Sequence, residues 1–202
     1  MKQVVVIRGG TTFNQYEDYI ESLRTKSVQI DRIAYAPGWK ESLQAKLGQD
    51  YLVLIPSMPN TANAKYTEWK MYFDRVAEVL EDDCILVGHS MGGIFLAKYL
   101  SECKFPRRIA ATILVAAPFD DDSEEDLGDF KISTLSELFT EQAGRVIVFG
   151  AHDDPVISPS DFDRYRDALP HADIQEVSAP DHYVRPEFPE LVEAIKSVHR
   201  DS

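Results

Sequence analysis

The chain has 202 residues, 44% hydrophobic and 27% charged, enough to bury the core of a soluble domain. Lys and Arg number 21 against 34 Asp and Glu, a net charge of −13. That balance argues against nucleic acid and membrane partners, since nucleic acid and anionic membrane surfaces both call for clustered basic residues.

The N-terminal "MKQVVVIRGG" holds an apolar run too short for a signal peptide or a membrane span, and reads as a first strand, Gln3 to Arg8. Residues 13–36 follow, with a short helix in "NQYEDYIESLRTK". The segment "APGWKESLQAKLG" is a second helix with Gly48 as its C-cap. A strand at Tyr51 to Ile55 precedes "NAKYTEWKMYFDRVAEVLE", which sets Tyr66, Trp69, Phe73, Val76 and Leu80 on one helical face. The strand Cys84 to Gly88 runs into the helix "MGGIFLAKYLSEC", and a strand at Ala111 to Ala116 comes next. Asp120 to Asp129 carries seven acidic side chains. It lacks the spacing of a calcium-binding loop and is expected to be a solvated connection. Arg145 to Gly150 and the weaker Asp173 to Ser178 complete the strands, with helices in "SPSDFDRYRDALP" and "PEFPELVEAIKSVHR". Cys84 and Cys103 belong to no C-x-x-C or Cys/His cluster, so no zinc site is expected. A cytoplasmic, reduced setting fits this usage.

Strands that are apolar throughout suit a parallel sheet covered on both faces. Their alternation with helices predicts a single doubly wound α/β domain over 1–202. No repeat or Gly/Ser linker divides it.

The junction Gly88-His89-Ser90-Met91-Gly92 is G-x-S-x-G between an apolar strand and a helix, the context of a nucleophile elbow. A serine hydroxyl needs a base within reach and an unobstructed approach to the carbonyl it attacks. A tight strand-to-helix turn exposes it, and small neighbours two residues away avoid a clash. The helix that starts at Met91 aims free N–H groups at a developing oxyanion.

Two further strand ends supply the rest. "FGAHDDPVIS" follows the fifth strand and "SAPDHY" the sixth. Ser90, Asp153 and His182 therefore fall at the ligand-binding edge of the sheet in the order serine, acid, histidine. The spacing G-x-x-D-x-x-V from Gly150 to Val156 selects Asp153. His89 is expected to pack sideways, and His171 and His199 to have solvated or packing roles. Gly10 is the expected second oxyanion donor beside Met91. Thr11, Tyr16, Tyr19 and His152 are candidates for touching substrate, with residues 13–36 bordering the pocket.

"IPSMPNTANAKYTEWKMYF", "LVGHSMGG", "FGAHDDPVIS" and "APDHY" resemble the small serine hydrolases of the retinoblastoma-binding protein 9 family, in the α/β-hydrolase superfamily. The resemblance covers the first strand and most of the chain from Trp39. It implies a lidless core with strand order 2-1-3-4-5-6, no metal or organic cofactor, and the first aspartate of "DDP", Asp153, as triad acid. Arg8-Gly9-Gly10-Thr11 departs from the His-Gly common after the first strand. Arg8 could attract an acidic substrate, and pairing with one of the many carboxylates is the favoured reading. Asp181 stands where a glycine often precedes the histidine. The expected activity is hydrolysis of an ester or related acyl bond on a small molecule through an acyl-enzyme. The alternatives are a protein-binding module on the same fold, and acyl transfer or perhydrolysis on the same triad.

Overall fold

The computed structural model describes residues 1–120 and 126–198. Residues 121–125 of the acidic stretch, and His199, lie outside them. Six strands form one parallel sheet in the order β2-β1-β3-β4-β5-β6. These are β1 (Lys2–Ile7), β2 (Tyr51–Leu54), β3 (Cys84–His89), β4 (Ile109–Val115), β5 (Arg145–Gly150) and β6 (Asp173–Glu176). The helices are α1 (Tyr16–Thr25), α2 (Ile30–Ile33), α3 (Trp39–Leu47), α4 (Tyr66–Glu78), α5 (Met91–Glu102), α6 (Glu137–Gln142), α7 (Pro159–Ala168) and α8 (Pro189–Ser197). Order and architecture match the expectation.

Side chains on a strand alternate between faces, so each central strand feeds two cores. Val4, Val6, Ile85 and Val87 pack with Trp39, Leu43, Tyr183 and Phe188 on one face. Val5, Ile7 and Leu86 pack with Trp69, Phe73, Phe95 and Phe130 on the other. Val4 through Ile7 have no exposed surface, each worth roughly 1.5–3 kcal/mol of burial. The second core is aromatic, with ring centroids 5.2 Å apart for Trp69 and Phe130 and 5.0 Å for Phe73 and Tyr99, both edge-on.

Helix α5 is apolar on all sides, and nine of its twelve residues are buried between sheet and neighbours. The turn that enters it is therefore held from every direction. Helix α1 is the opposite case and buries no residue. Gly48 ends α3 with φ +85°, a conformation in which glycine is favoured, as the C-cap reading required.

Candidate active site

Ser90 follows His89 at the end of β3, with φ 54° and ψ −125°. A non-glycine residue there carries of order 1–3 kcal/mol of backbone strain. The glycines around it permit the turn. A Cβ on Gly88 would lie 2.4 Å from the Gly92 carbonyl oxygen, and one on Gly92 would lie 2.3 Å from that of Ile7. Any side chain at either position pushes β3, α5 and β1 apart. The first hydrogen bonds of α5 run from the Gly93 and Ile94 N–H groups to the Ser90 carbonyl, at 2.7 and 3.3 Å. The Met91 N–H, in the first turn of α5, has no carbonyl of its own helix to donate to. Gly9 closes one wall, since a Cβ placed there would sit 3.1 Å from Ser90 Cβ.

His182 lies on the loop after β6, its side chain 12% exposed. Its Nδ1 is 2.9 Å from Asp154 Oδ2 and 3.0 Å from Oδ1. The carboxylate can only accept, so Nδ1 carries the proton and Nε2 is left as the basic nitrogen. Asp154 is 2% exposed at its side chain, and its Oδ1 also accepts from the Val156 and Ile157 N–H groups at 2.8 and 3.1 Å. This corrects the choice of acid. Asp153 points elsewhere: its Oδ2 accepts from the Ser178 hydroxyl at 2.7 Å and its Oδ1 from the Ala179 N–H at 2.8 Å. Those bonds, the Ala179 N–H first, hold the Asp153 carboxyl below its ordinary range. The aliphatic residue that anchors the loop is buried Ile157, not half-buried Val156, which moves the inward aspartate on by one.

Both His182 and Tyr183 adopt positive φ, 53° and 52°. Two buried rings hold this pair from below. His89 Nε2 lies 2.9 Å from the His182 carbonyl oxygen and Trp39 Nε1 lies 2.9 Å from that of Tyr183, each ring N–H donating. The His89 and His182 ring centroids are 5.0 Å apart. Burial, and then the Lys40 charge, push the His89 pKa well below its usual value, so it is a neutral donor. His89 packs sideways as expected, but it also holds the histidine loop, which its place in the motif did not reveal.

The remaining candidates separate. The Gly10 and Thr11 backbone runs beside the β2–α4 loop, with the Thr11 N–H donating to Thr61 O at 2.9 Å. The Thr11 hydroxyl is committed to the Ala62 carbonyl at 3.1 Å. Tyr16 and Tyr19 border an open cavity of about 550 Å³ with Met58, Asn63 and Lys65. It meets the Gly10–Thr11 backbone through Thr61 and Ala62. His152 spends its nitrogens on Glu176, 2.6 Å away, and Asp163, 3.6 Å away. Glu176 raises its pKa. Arg8 pairs with Glu41 at 2.5 Å, the favoured reading for that residue. Among the described residues no group of three or more His, Cys, Asp or Glu side chains could hold a metal ion, and no helix is long and apolar enough to cross a membrane.

A six-stranded parallel sheet in this order, with a strained serine at the β3–α5 turn and a histidine–carboxylate pair beyond β5 and β6, defines an α/β-hydrolase fold. A match to the serine hydrolase family spans residues 36–183, and the chain belongs to that family. Its fold is similar to that of the ydeN gene product of B. subtilis, at 18% identity over 98% of both chains with a TM-score of 0.76. It is also similar to a thioesterase domain from the curacin biosynthetic pathway, at 14% identity over 100% of this chain and 91% of that one, TM-score 0.58. A third likeness is to a structure described under LipS and LipT, two metagenome-derived lipolytic enzymes, at 12% identity, covering 100% and 95% of the two chains, TM-score 0.59. No curated protein matches the chain.

Proposed function

We propose that the protein is a cofactor-independent serine hydrolase that cleaves a carboxylic ester or related acyl bond through an acyl-enzyme. Ser90 Oγ attacks the acyl carbon while His182 Nε2 takes its proton. The bond to the leaving group then breaks, and the same proton passes to the leaving atom. Water repeats the sequence on the acyl-serine and releases the acid. Asp154 orients His182 and balances the imidazolium charge, and the Met91 and Gly10 N–H groups face the oxyanion. Lipolytic and thioesterase folds among the structural likenesses support an acyl substrate, and the motifs around Met58, Trp69 and "DDP" ally the chain with the retinoblastoma-binding protein 9 group.

The observation that carries this reading is the His182–Asp154 contact at 2.9 Å, with a buried acid, on the loops beyond β5 and β6 at the sheet edge where β3 ends in the serine turn. A binding module has no need of that pair. The test is reaction with a fluorophosphonate probe and hydrolysis of 4-nitrophenyl butyrate. Both are expected in the parent, and both are lost in Ser90→Ala. A folded parent that neither labels nor turns over the ester overturns the proposal.

A further inference from the structure

Lys40 occupies the second position of α3, where the helix dipole opposes a cation. It is half-buried, and among the described residues it has no ion pair and no hydrogen bond. Its ammonium rests 4.4 Å from the centroid of the Trp39 ring. The neighbouring Arg8 is already neutralised by Glu41 at 2.5 Å, so Lys40 is a surplus positive charge on a chain of net charge −13. Burial and then the Arg8 charge lower its pKa to about 8, with Glu41 acting the other way. Three costs therefore meet at one side chain, offset only in part by Glu41, whose carboxylate is bonded to Arg8. On a surface so rich in acid, that is the arrangement of a site that awaits an anion.

The place is linked to the serine turn through Trp39 and His89 and through Arg8. Arg8 and Gly9 leave β1 against Ser90, as the 3.1 Å separation of a Gly9 Cβ from Ser90 Cβ requires. The Lys40 charge, itself next to that of Arg8, also reaches His89, the residue before Ser90, and opposes its protonation. Trp39 links the two, with its ring centroid 6.1 Å from that of His89.

We propose that Lys40 binds a carboxylate carried by the substrate, so that the enzyme prefers acyl esters bearing a second, ionised carboxyl group. The proposal rests on the hydrolase reading of Ser90 and adds a substrate class to it. A charge-assisted contact in a half-desolvated site favours the anionic over the neutral ester by about 10- to 100-fold.

The test compares kcat/KM for neutral 4-nitrophenyl butyrate with two anionic esters. Mono-4-nitrophenyl glutarate carries its charge on the acyl side, and 3-butyryloxy-4-nitrobenzoate carries it on the leaving group. One of them should exceed the neutral ester at least about tenfold at pH 7, and which one does so locates the subsite. The anionic-to-neutral ratio should collapse in Lys40→Met, return in Lys40→Arg, and match the parent in Lys104→Met on the exposed surface. It should also fall as pH rises through about 8, because Arg8 stays charged, Glu41 ionised and His89 neutral across that range while Lys40 loses its proton. Ratios near one for both esters, or a ratio indifferent to Lys40→Met, overturn the subsite. Calorimetry of glutarate and of 3-hydroxy-4-nitrobenzoate with Ser90→Ala reads the subsite without turnover. Binding of either that Lys40→Met abolishes, in a protein that hydrolyses none of the esters, would count against the hydrolase reading and keep the anion site. No binding of either, together with no ester preference, removes the anion site.

Discussion

His89 Nε2 donates to the carbonyl of His182 at 2.9 Å, so the serine turn and the histidine loop are joined by a hydrogen bond between their own residues. The bond holds a peptide whose φ of 53° is otherwise disfavoured. Removing it in His89→Ala lets the His182 ring drift from the serine. The expected result is a fall in kcat of roughly 10- to 100-fold with KM little changed. His89→Gln, whose amide N–H reaches about as far as Nε2, should recover part of the loss. A merely structural histidine would show no such recovery in kcat at equal folded fraction.

The two adjacent carboxylates give a sharper contrast. Asp154→Asn presents His182 Nδ1 with an amide, disturbs the tautomer, and should lower turnover by about 10⁴-fold. Asp153→Asn weakens the bonds to Ser178 and Ala179 at the root of the histidine loop and should cost far less. Kinetics of both purified variants, with circular dichroism to confirm folding, decide the assignment. Equal losses, or a larger loss in Asp153→Asn, contradict it.

Gly92→Ala should be intolerable to the fold rather than to the chemistry alone. Its Cβ would meet the Ile7 and Arg8 carbonyl oxygens at 2.3 and 2.7 Å, both main chain where β1 ends. A destabilisation of about 3 kcal/mol or more is expected, read as a lower denaturation midpoint or loss of soluble protein. Gly48→Ala, with open space around its Cβ position, should lose only what its φ of 85° demands.

Burial also ties stability to pH through His89. Its folded pKa is depressed, whereas the unfolded chain takes up the proton near 6.5. Below that pH the unfolded state binds one more proton than the folded one. Stability is therefore complete above about pH 6.5 and falls by up to about 1.4 kcal/mol per pH unit as the solution is acidified. The comparison is denaturant unfolding of the parent and His89→Gln between pH 7.5 and 5. The parent should show the steeper decline, by one proton.

The strands and the strand-end placement of Ser90 and His182 are legible in the sequence because they depend on local patterns, whereas the strand order is implied only by the family resemblance. Runs such as "QVVVI" have one reading when both faces must be buried. The acid is less legible. Asp153 and Asp154 have the same chemistry, and the inward one is selected by whether Val156 or Ile157 enters the core, which is settled by packing. His89 and Trp39 are hidden for a related reason. Each donates across more than 90 residues of sequence, to a loop whose conformation no motif describes. Helix α6 spans six residues, too few to leave a period in the sequence, and is signalled only by Ser136 accepting from the Phe139 N–H as an N-cap.

Helix α1 contributes no side chain to either core, although Tyr16 and Tyr19 border a cavity that adjoins the loop leaving β1. The chain there is under few constraints from folding. Residues 14–29 can lengthen, shorten or be exchanged for another sequence while the sheet, the serine turn and the histidine loop remain as they are. Such freedom makes this segment a convenient one for grafting. A library confined to it would vary the wall of that cavity at little risk to the fold.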